Sequence, residues 1–201
     1  NICTIKSEII VCNKRLTNKK SHLISISRLD EQWFSNIKKV SSDKANFLYV
    51  GRISKEKGIF NFIKIFDKMN LNSTLSIVGN AEKLSFNNPK ISKIGYISDA
   101  KSLIRVYDEC NITILPSYTE GYPYVIDESL SRLRPVIIFE EISYVVNDKE
   151  GIYISKRNSE SLRKTTEYIL KNYTAIQSKM SKNTLPTKKS MLKQISDIIV
   201  V

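Results

Sequence analysis

Residues 113–138, TILPSYTEGYPYVIDESLSRLRPVII, run through a strand, a loop, a helix and a second strand with almost nothing between them. The apolar run Ile112–Leu115 breaks at Pro116, and the polar residues Ser117–Gly121 have the composition of a loop. A helix follows. Pro123 suits a first turn, where its missing N–H has no intrahelical partner, and Val125, Ile126, Leu130 and Leu133 recur at helical spacing. Pro135 stops that helix and opens the next strand. Two carboxylates frame the unit: Glu120 in the loop, and Glu128 about two turns into the helix. A loop at the carboxyl end of a parallel strand, beside a helix N-terminus, is a place where anions bind. Glutamates there would repel phosphate, so they are expected to accept hydrogen bonds from hydroxyls, which sugars and ribose carry. Taken alone, such a pair reads more readily as solvated surface charge.

On either side of this unit the pattern is regular from Asn46 onward. Phe47–Val50, Leu75–Val78, a stretch near Lys90–Ile94, Ile112–Leu115, Val136–Phe139 and Ile152–Ile154 read as short strands. Between them lie a helix over Ile59–Met69, burying Ile59, Phe62, Ile63, Phe66 and Met69, and one through Cys110 capped by Ser98 or Asp99. From Asn158 the chain reads as helical, with a break near Pro186. Strand and helix in alternation predict an α/β fold with a Rossmann-like, doubly wound parallel sheet and C-terminal helices. Residues 1–45 look different. Ser7–Cys12 and His22–Ile26 are strand-like, Asn13–Ser21 is polar and basic, and Trp33 and Phe34 precede a polar run. They are read as the remnant of a preceding domain and a linker, ahead of a domain over 46–170 and helices over 171–201.

Composition narrows the functions. The chain has 201 residues and net charge +12, yet residues 111–150 are net acidic. The basic remainder fits attraction of a nucleotide or peripheral contact with an anionic membrane surface, and lacks the aromatic interleaving of a nucleic-acid binder. No run is long enough to span a membrane and no signal peptide is evident. Asn1 is not a start methionine, so a fragment or processed chain is expected. Cys3, Cys12 and Cys110 show no metal or redox spacing, which points to a reducing compartment and a cytoplasmic location. One histidine, His22, leaves little scope for a Ser-His-Asp triad or a His-rich metal site.

The loop after the first regular strand adds a second constellation. Gly51 permits close backbone approach, Arg52 and Lys57 are cations, and Gly58 opens a helix. It matches neither the phosphate loop of nucleoside triphosphatases nor the dinucleotide fingerprint. In a doubly wound sheet this loop and the Glu120 loop both leave the carboxyl ends of their strands, so they can face one crevice.

The segments LYVGRISKEKG, LSIVGN, IGYISD, ILPSYTEGYPYVIDESL and RPVI, in that order and spacing, resemble the C-terminal, donor-binding half of retaining glycosyltransferases of the two-Rossmann-domain (GT-B) fold, the group-1 or family-four type. The resemblance covers roughly residues 46–170. It implies a nucleoside diphosphate sugar as donor substrate, with no cofactor and no metal. Arg52 and Lys57 would hold the diphosphate and Glu120 the donor sugar, the three residues nearest the chemistry. The backbone at Gly121, Tyr122 and Pro123 would meet sugar and phosphate, Glu128 would bind the ribose, and Gly79 and Ile97 would flank the base. The acceptor, a sugar or lipid-linked saccharide, would bind to an N-terminal half, and its absence would leave half an active site. Lys188–Val201 resembles the segment that returns toward that half. Leu133 departs from the family, which carries glycine there, and a different packing at that helix end is expected. A glycosidase pair would not call for the Arg52–Lys57 loop. The alternatives are a non-catalytic nucleotide-sugar binding module and, more remotely, a basic interaction domain.

Overall fold

A computed structural model describes residues 2–5, 8–11, 22–82 and 84–199. Ser7, Cys12 and the whole stretch 13–21 lie outside the described residues. Three short strands, β1 (Ile2–Ile5), β2 (Glu8–Val11) and β3 (His22–Ser25), make an antiparallel sheet in sequence order. Six more form a parallel sheet: β4 (Ala45–Val50), β5 (Ser73–Val78), β6 (Ile91–Gly95), β7 (Ile112–Leu115), β8 (Val136–Phe139) and β9 (Ile152–Ser155). Their spatial order is β6-β5-β4-β7-β8-β9, so the winding reverses between β4 and β7. That reversal is the switch point at which open α/β sheets leave a crevice, and the loops after β4 and β7 border it. The fold expected from the sequence is the fold observed.

Among the described residues there are six α-helices, α1 (Ile59–Asp67), α2 (Ala100–Glu109), α3 (Tyr124–Ser131), α4 (Ser159–Lys171), α5 (Tyr173–Met180) and α6 (Lys188–Ile199), of which the first five accompany the parallel sheet. Alternation along β4 feeds two cores. Phe47 and Tyr49 face α1 and the Ile126 and Leu130 side of α3, whereas Leu48 faces Leu103, Val106 and Tyr107 of α2. The aromatic side chains Phe47, Phe62 and Phe66 meet edge-to-face or tilted at centroid distances of 6.0 to 6.1 Å. Asp99, one of the two residues expected to cap α2, accepts from the Ser102 N–H at 2.8 Å.

Packing crosses both expected boundaries. Leu29 and Trp33 belong to the α2 core, and Tyr173, Ile176 and Met180 of α5 belong to the other. The segment 33–38 is bound to the end of α3 by two fully buried arginines. Arg132 donates to the carbonyls of Trp33, Ser35 and Asn36, Arg134 to that of Lys38, and both face Asp108. Helix α6 lies against β3: Gln194 accepts from the Ser25 N–H at 3.0 Å, and the Lys188 N–H reaches the Leu29 carbonyl at 2.7 Å.

Leu133 has φ of +54°, the left-handed conformation that glycine adopts most cheaply. The N–H of Leu133 bonds to the Leu130 carbonyl at 3.0 Å and that of Arg134 to Ser129 at 2.9 Å, the two bonds of a Schellman helix end. Leucine therefore occupies the glycine conformation, held there by the bonding around it, and its side chain packs on the core.

Candidate functional site

Close backbone approach builds the floor of the crevice. The Gly51 N–H bonds to the Val78 carbonyl at 3.0 Å, and a Cβ on Gly79 would lie 2.2 Å from the Gly51 oxygen. Gly79 must be glycine on that ground alone. A Cβ on Gly58, at φ +68°, would lie 1.9 Å from the Pro116 oxygen, so the β4 and β7 loops touch there as well. Neither α1 nor α3 has a side-chain cap, which leaves N–H groups at both helix starts open to a ligand.

The cations and carboxylates are distributed over this floor. Lys57 Nζ binds both Glu120 oxygens, at 2.7 and 2.8 Å, and the Ser117 hydroxyl adds a third bond at 2.6 Å. The Glu120 backbone is fixed by Tyr144, whose hydroxyl accepts from its N–H at 2.8 Å and donates to its carbonyl at 2.9 Å. Arg52 is different: its side chain is 77% exposed and its one ion pair is a loose 3.8 Å contact with Glu56. It is available to an anion.

Glu128, in the second turn of α3, has a fully buried side chain. Its Oε1 accepts from Nε of Arg28 and is ion-paired with Nη2 of the same side chain, and its Oε2 accepts from the Tyr107 hydroxyl at 2.9 Å. Burial pushes the Glu128 carboxyl above its ordinary range, with Arg28 and Tyr107 pulling the other way. Burial, and then the Glu128 charge, push the Tyr107 hydroxyl well above the ordinary phenol range, so Tyr107 stays a donor at neutral pH.

A cavity of about 440 Å³ opens beside Glu128, and Gly51, Arg52, Gly79 and Ile97 line it with Arg28 and Trp33. Five of the residues singled out in the sequence therefore meet in one place. Gly121, Tyr122 and Pro123 do not share that cavity; they line a neighbouring pocket of about 50 Å³ with Asp127, Tyr144 and Lys149. The Tyr122 hydroxyl turns to Asp127 at 2.6 Å, so its backbone is what remains for a ligand.

Three contributors were not foreseen. Arg28 lies in a stretch that reads as linker, and Tyr107 reads as an apolar position of α2. Arg157 stacks between Tyr118 and Phe139, 4.0 and 4.3 Å from their ring centres, and donates to the carbonyls of Pro116 and Ser117 at 2.8 and 3.0 Å. It thereby fixes the start of the Glu120 loop. Nothing in the local sequence marks these three, because each acts on a residue more than twenty positions away.

This geometry can be set beside known proteins. Residues 30–185 match the model of the family described as glycosyl transferases group 1. The chain belongs to this family. Among curated proteins it is 27% identical over 160 residues to the capsular polysaccharide biosynthesis glycosyltransferase CapM of Staphylococcus aureus, spanning 72% of this chain and 40% of that protein. An uncharacterized glycosyltransferase, MJ1607, of Methanocaldococcus jannaschii is 23% identical over 151 residues, 67% of this chain and 38% of its own length. This group-1 chain thus spans about two fifths of those relatives. Among solved structures, Anabaena Alr3699/HepE in complex with UDP and glucose superposes with a TM-score of 0.67 at 14% identity, over 88% of this chain and 56% of that one. Sucrose-phosphate synthase from Thermosynechococcus elongatus gives 0.65 at 20% identity, over 80% and 46%. The fold is that of one Rossmann-like half of a GT-B glycosyltransferase. Among the described residues no helix is long and apolar enough to cross a membrane.

Proposed function

We propose that this group-1 domain binds a nucleoside diphosphate sugar. Together with an N-terminal acceptor half, it transfers the sugar to an acceptor hydroxyl with retention, in cell-surface polysaccharide or glycolipid synthesis on the cytoplasmic side. The observation that carries the reading is the cavity itself. A fully buried carboxylate, an exposed arginine and two glycine backbones converge at the switch point of a doubly wound sheet. Glu128 accepts from the ribose hydroxyls, and the base lies toward Ile97 and Gly79. The diphosphate meets Arg52, Lys57 and the open start of α1.

The chemical demand of the reaction is the charge that develops on the departing diphosphate. Lys57, anchored on Glu120, and Arg52, free to swing onto the phosphates, stabilise it as cations, and this field is the main contribution of the domain. Lys57 has three donors, so it can keep one on Glu120 while turning others to phosphate. Glu120, anchored by Ser117 and Tyr144, accepts from the donor sugar and sets its orientation.

Calorimetric titration with UDP, ADP and GDP and with the matching nucleosides tests this. Arg52→Ala is expected to weaken diphosphate binding about tenfold to a hundredfold and to leave nucleoside binding unchanged. Equal losses for both ligands would remove the phosphate role.

A further inference from the structure

We propose that Arg28 is a built-in occupant of the ribose site: in the empty chain its guanidinium holds the place on Glu128 that a ribose diol takes, and the diol displaces it. The inference rests on the donor-site reading above and adds a regulator to it. A carboxylate offers about four lone-pair positions. Arg28 covers Oε1, donating to it through Nε and holding Nη2 against the same oxygen as an ion pair, and Tyr107 takes one position on Oε2, which leaves one position open, on Oε2. A ribose diol brings two hydroxyl donors, so it cannot engage Glu128 fully while Arg28 stays. Between the two occupants the choice is settled by burial. Tyr107 is enclosed in the α2 core, whereas the Arg28 side chain is 54% exposed and enters from the cavity. Only Arg28 can leave and be solvated as it goes.

The backbone around Arg28 is fixed, so the exchange belongs to the side chain. Ser27 Oγ donates to the Pro186 carbonyl at 2.7 Å, the Leu29 N–H bonds to Ser27 Oγ at 3.1 Å, and Leu29 is buried. The Arg28 guanidinium also lies 5.1 Å from the centre of the Tyr124 ring, a cation–π neighbour that is still there when Glu128 is given up. The arrangement has a physical purpose. Without Arg28 the empty site would hold a buried carboxylate with one neutral partner, which is costly; with it, nucleoside affinity is reduced by the fraction of time the site stays covered.

The test follows chemical shifts in the parent chain, Arg28→Ala, Arg28→Gln and Glu128→Gln while uridine, adenosine or guanosine is added at pH 8. The bare nucleosides avoid any attraction between Arg28 and phosphate. For the nucleoside that the parent binds, both Arg28 variants are expected to bind about tenfold more tightly, as if an open fraction of about one tenth had become the whole population. The gain should vanish when Arg28→Ala is combined with Glu128→Gln. Equal or weaker binding by the Arg28 variants, with the parent binding normally, overturns the exchange and leaves the donor site standing. If no nucleoside shifts any resonance of the cavity in any of these chains, the donor-site reading falls and the exchange falls with it.

Discussion

Helix α3 and its C-terminal end carry two buried ionic sites, and they are built differently. Asp108 faces Arg132 and Arg134, both essentially without solvent exposure, and every donor of Arg132 is used: two on Asp108 and three on the carbonyls of Trp33, Ser35 and Asn36. Glu128, in the same helix, is as deeply buried but is met by one half-exposed arginine and one tyrosine, and it opens onto a cavity. The first site spends its charges entirely within the chain. The second is left incomplete in the direction of solvent. What separates the structural charge from the one proposed to bind a ligand is whether its hydrogen-bonding capacity is exhausted, since both carboxylates are equally hidden.

The contrast predicts opposite responses to mutation. Arg132→Met should destabilise the chain by about 3 to 5 kcal/mol in urea denaturation, because it leaves Asp108 and three carbonyls short of partners. A loss below about 1 kcal/mol would mean that the Asp108 cluster is no more structural than the Glu128 site. Next in size is Glu120→Gln, expected to leave nucleoside diphosphate affinity intact and to lower only the affinity that depends on the sugar, by about 1 to 3 kcal/mol in calorimetry. If diphosphate binding fell equally, Glu120 would belong to the nucleotide side of the comparison.

The smallest effect concerns the end of α3. Leu133→Gly should change stability by less than about 1 kcal/mol, because relief of a left-handed leucine, about 1 to 2 kcal/mol, offsets the packing that is lost. A cost above about 2 kcal/mol in the same denaturation would show that the side chain, and not the backbone, governs that helix end.

The fold was legible because the strands of the large sheet, apart from the polar edge strand β6, are short apolar runs bounded by glycine, proline or polar residues, and those limits are local. The motif resemblance assigns Arg52, Gly79, Ile97 and Glu128 to one donor, and the strand order β6-β5-β4-β7 brings the segments that carry them, with Gly51, to one cavity. The pairing of Lys57 with Glu120 and of Arg28 with Glu128 was not legible. Nothing in the local sequence marks Arg132 and Arg134, at the end of a helix in a chain of net charge +12, as buried. Their burial follows from tertiary contacts with residues 33–38, which no periodicity encodes. The glycine expected at position 133 was a backbone requirement, and the chain meets it with a leucine.

The central claim is that Glu128 is retained for its ligand at a cost in stability, and thermal melts of the parent chain and Glu128→Gln between pH 4 and pH 8 test it directly. Burial raises the Glu128 carboxyl in the folded chain, so folding favours its protonated form, and that contribution is lost as pH rises through the raised value. The account predicts nearly equal melting points at the acid end, a Glu128→Gln melting point that exceeds the parent's increasingly toward pH 8, and a smaller upward shift on adding UDP to the variant than to the parent. A variant that melts below the parent at pH 8, or gains as much from UDP, would contradict it.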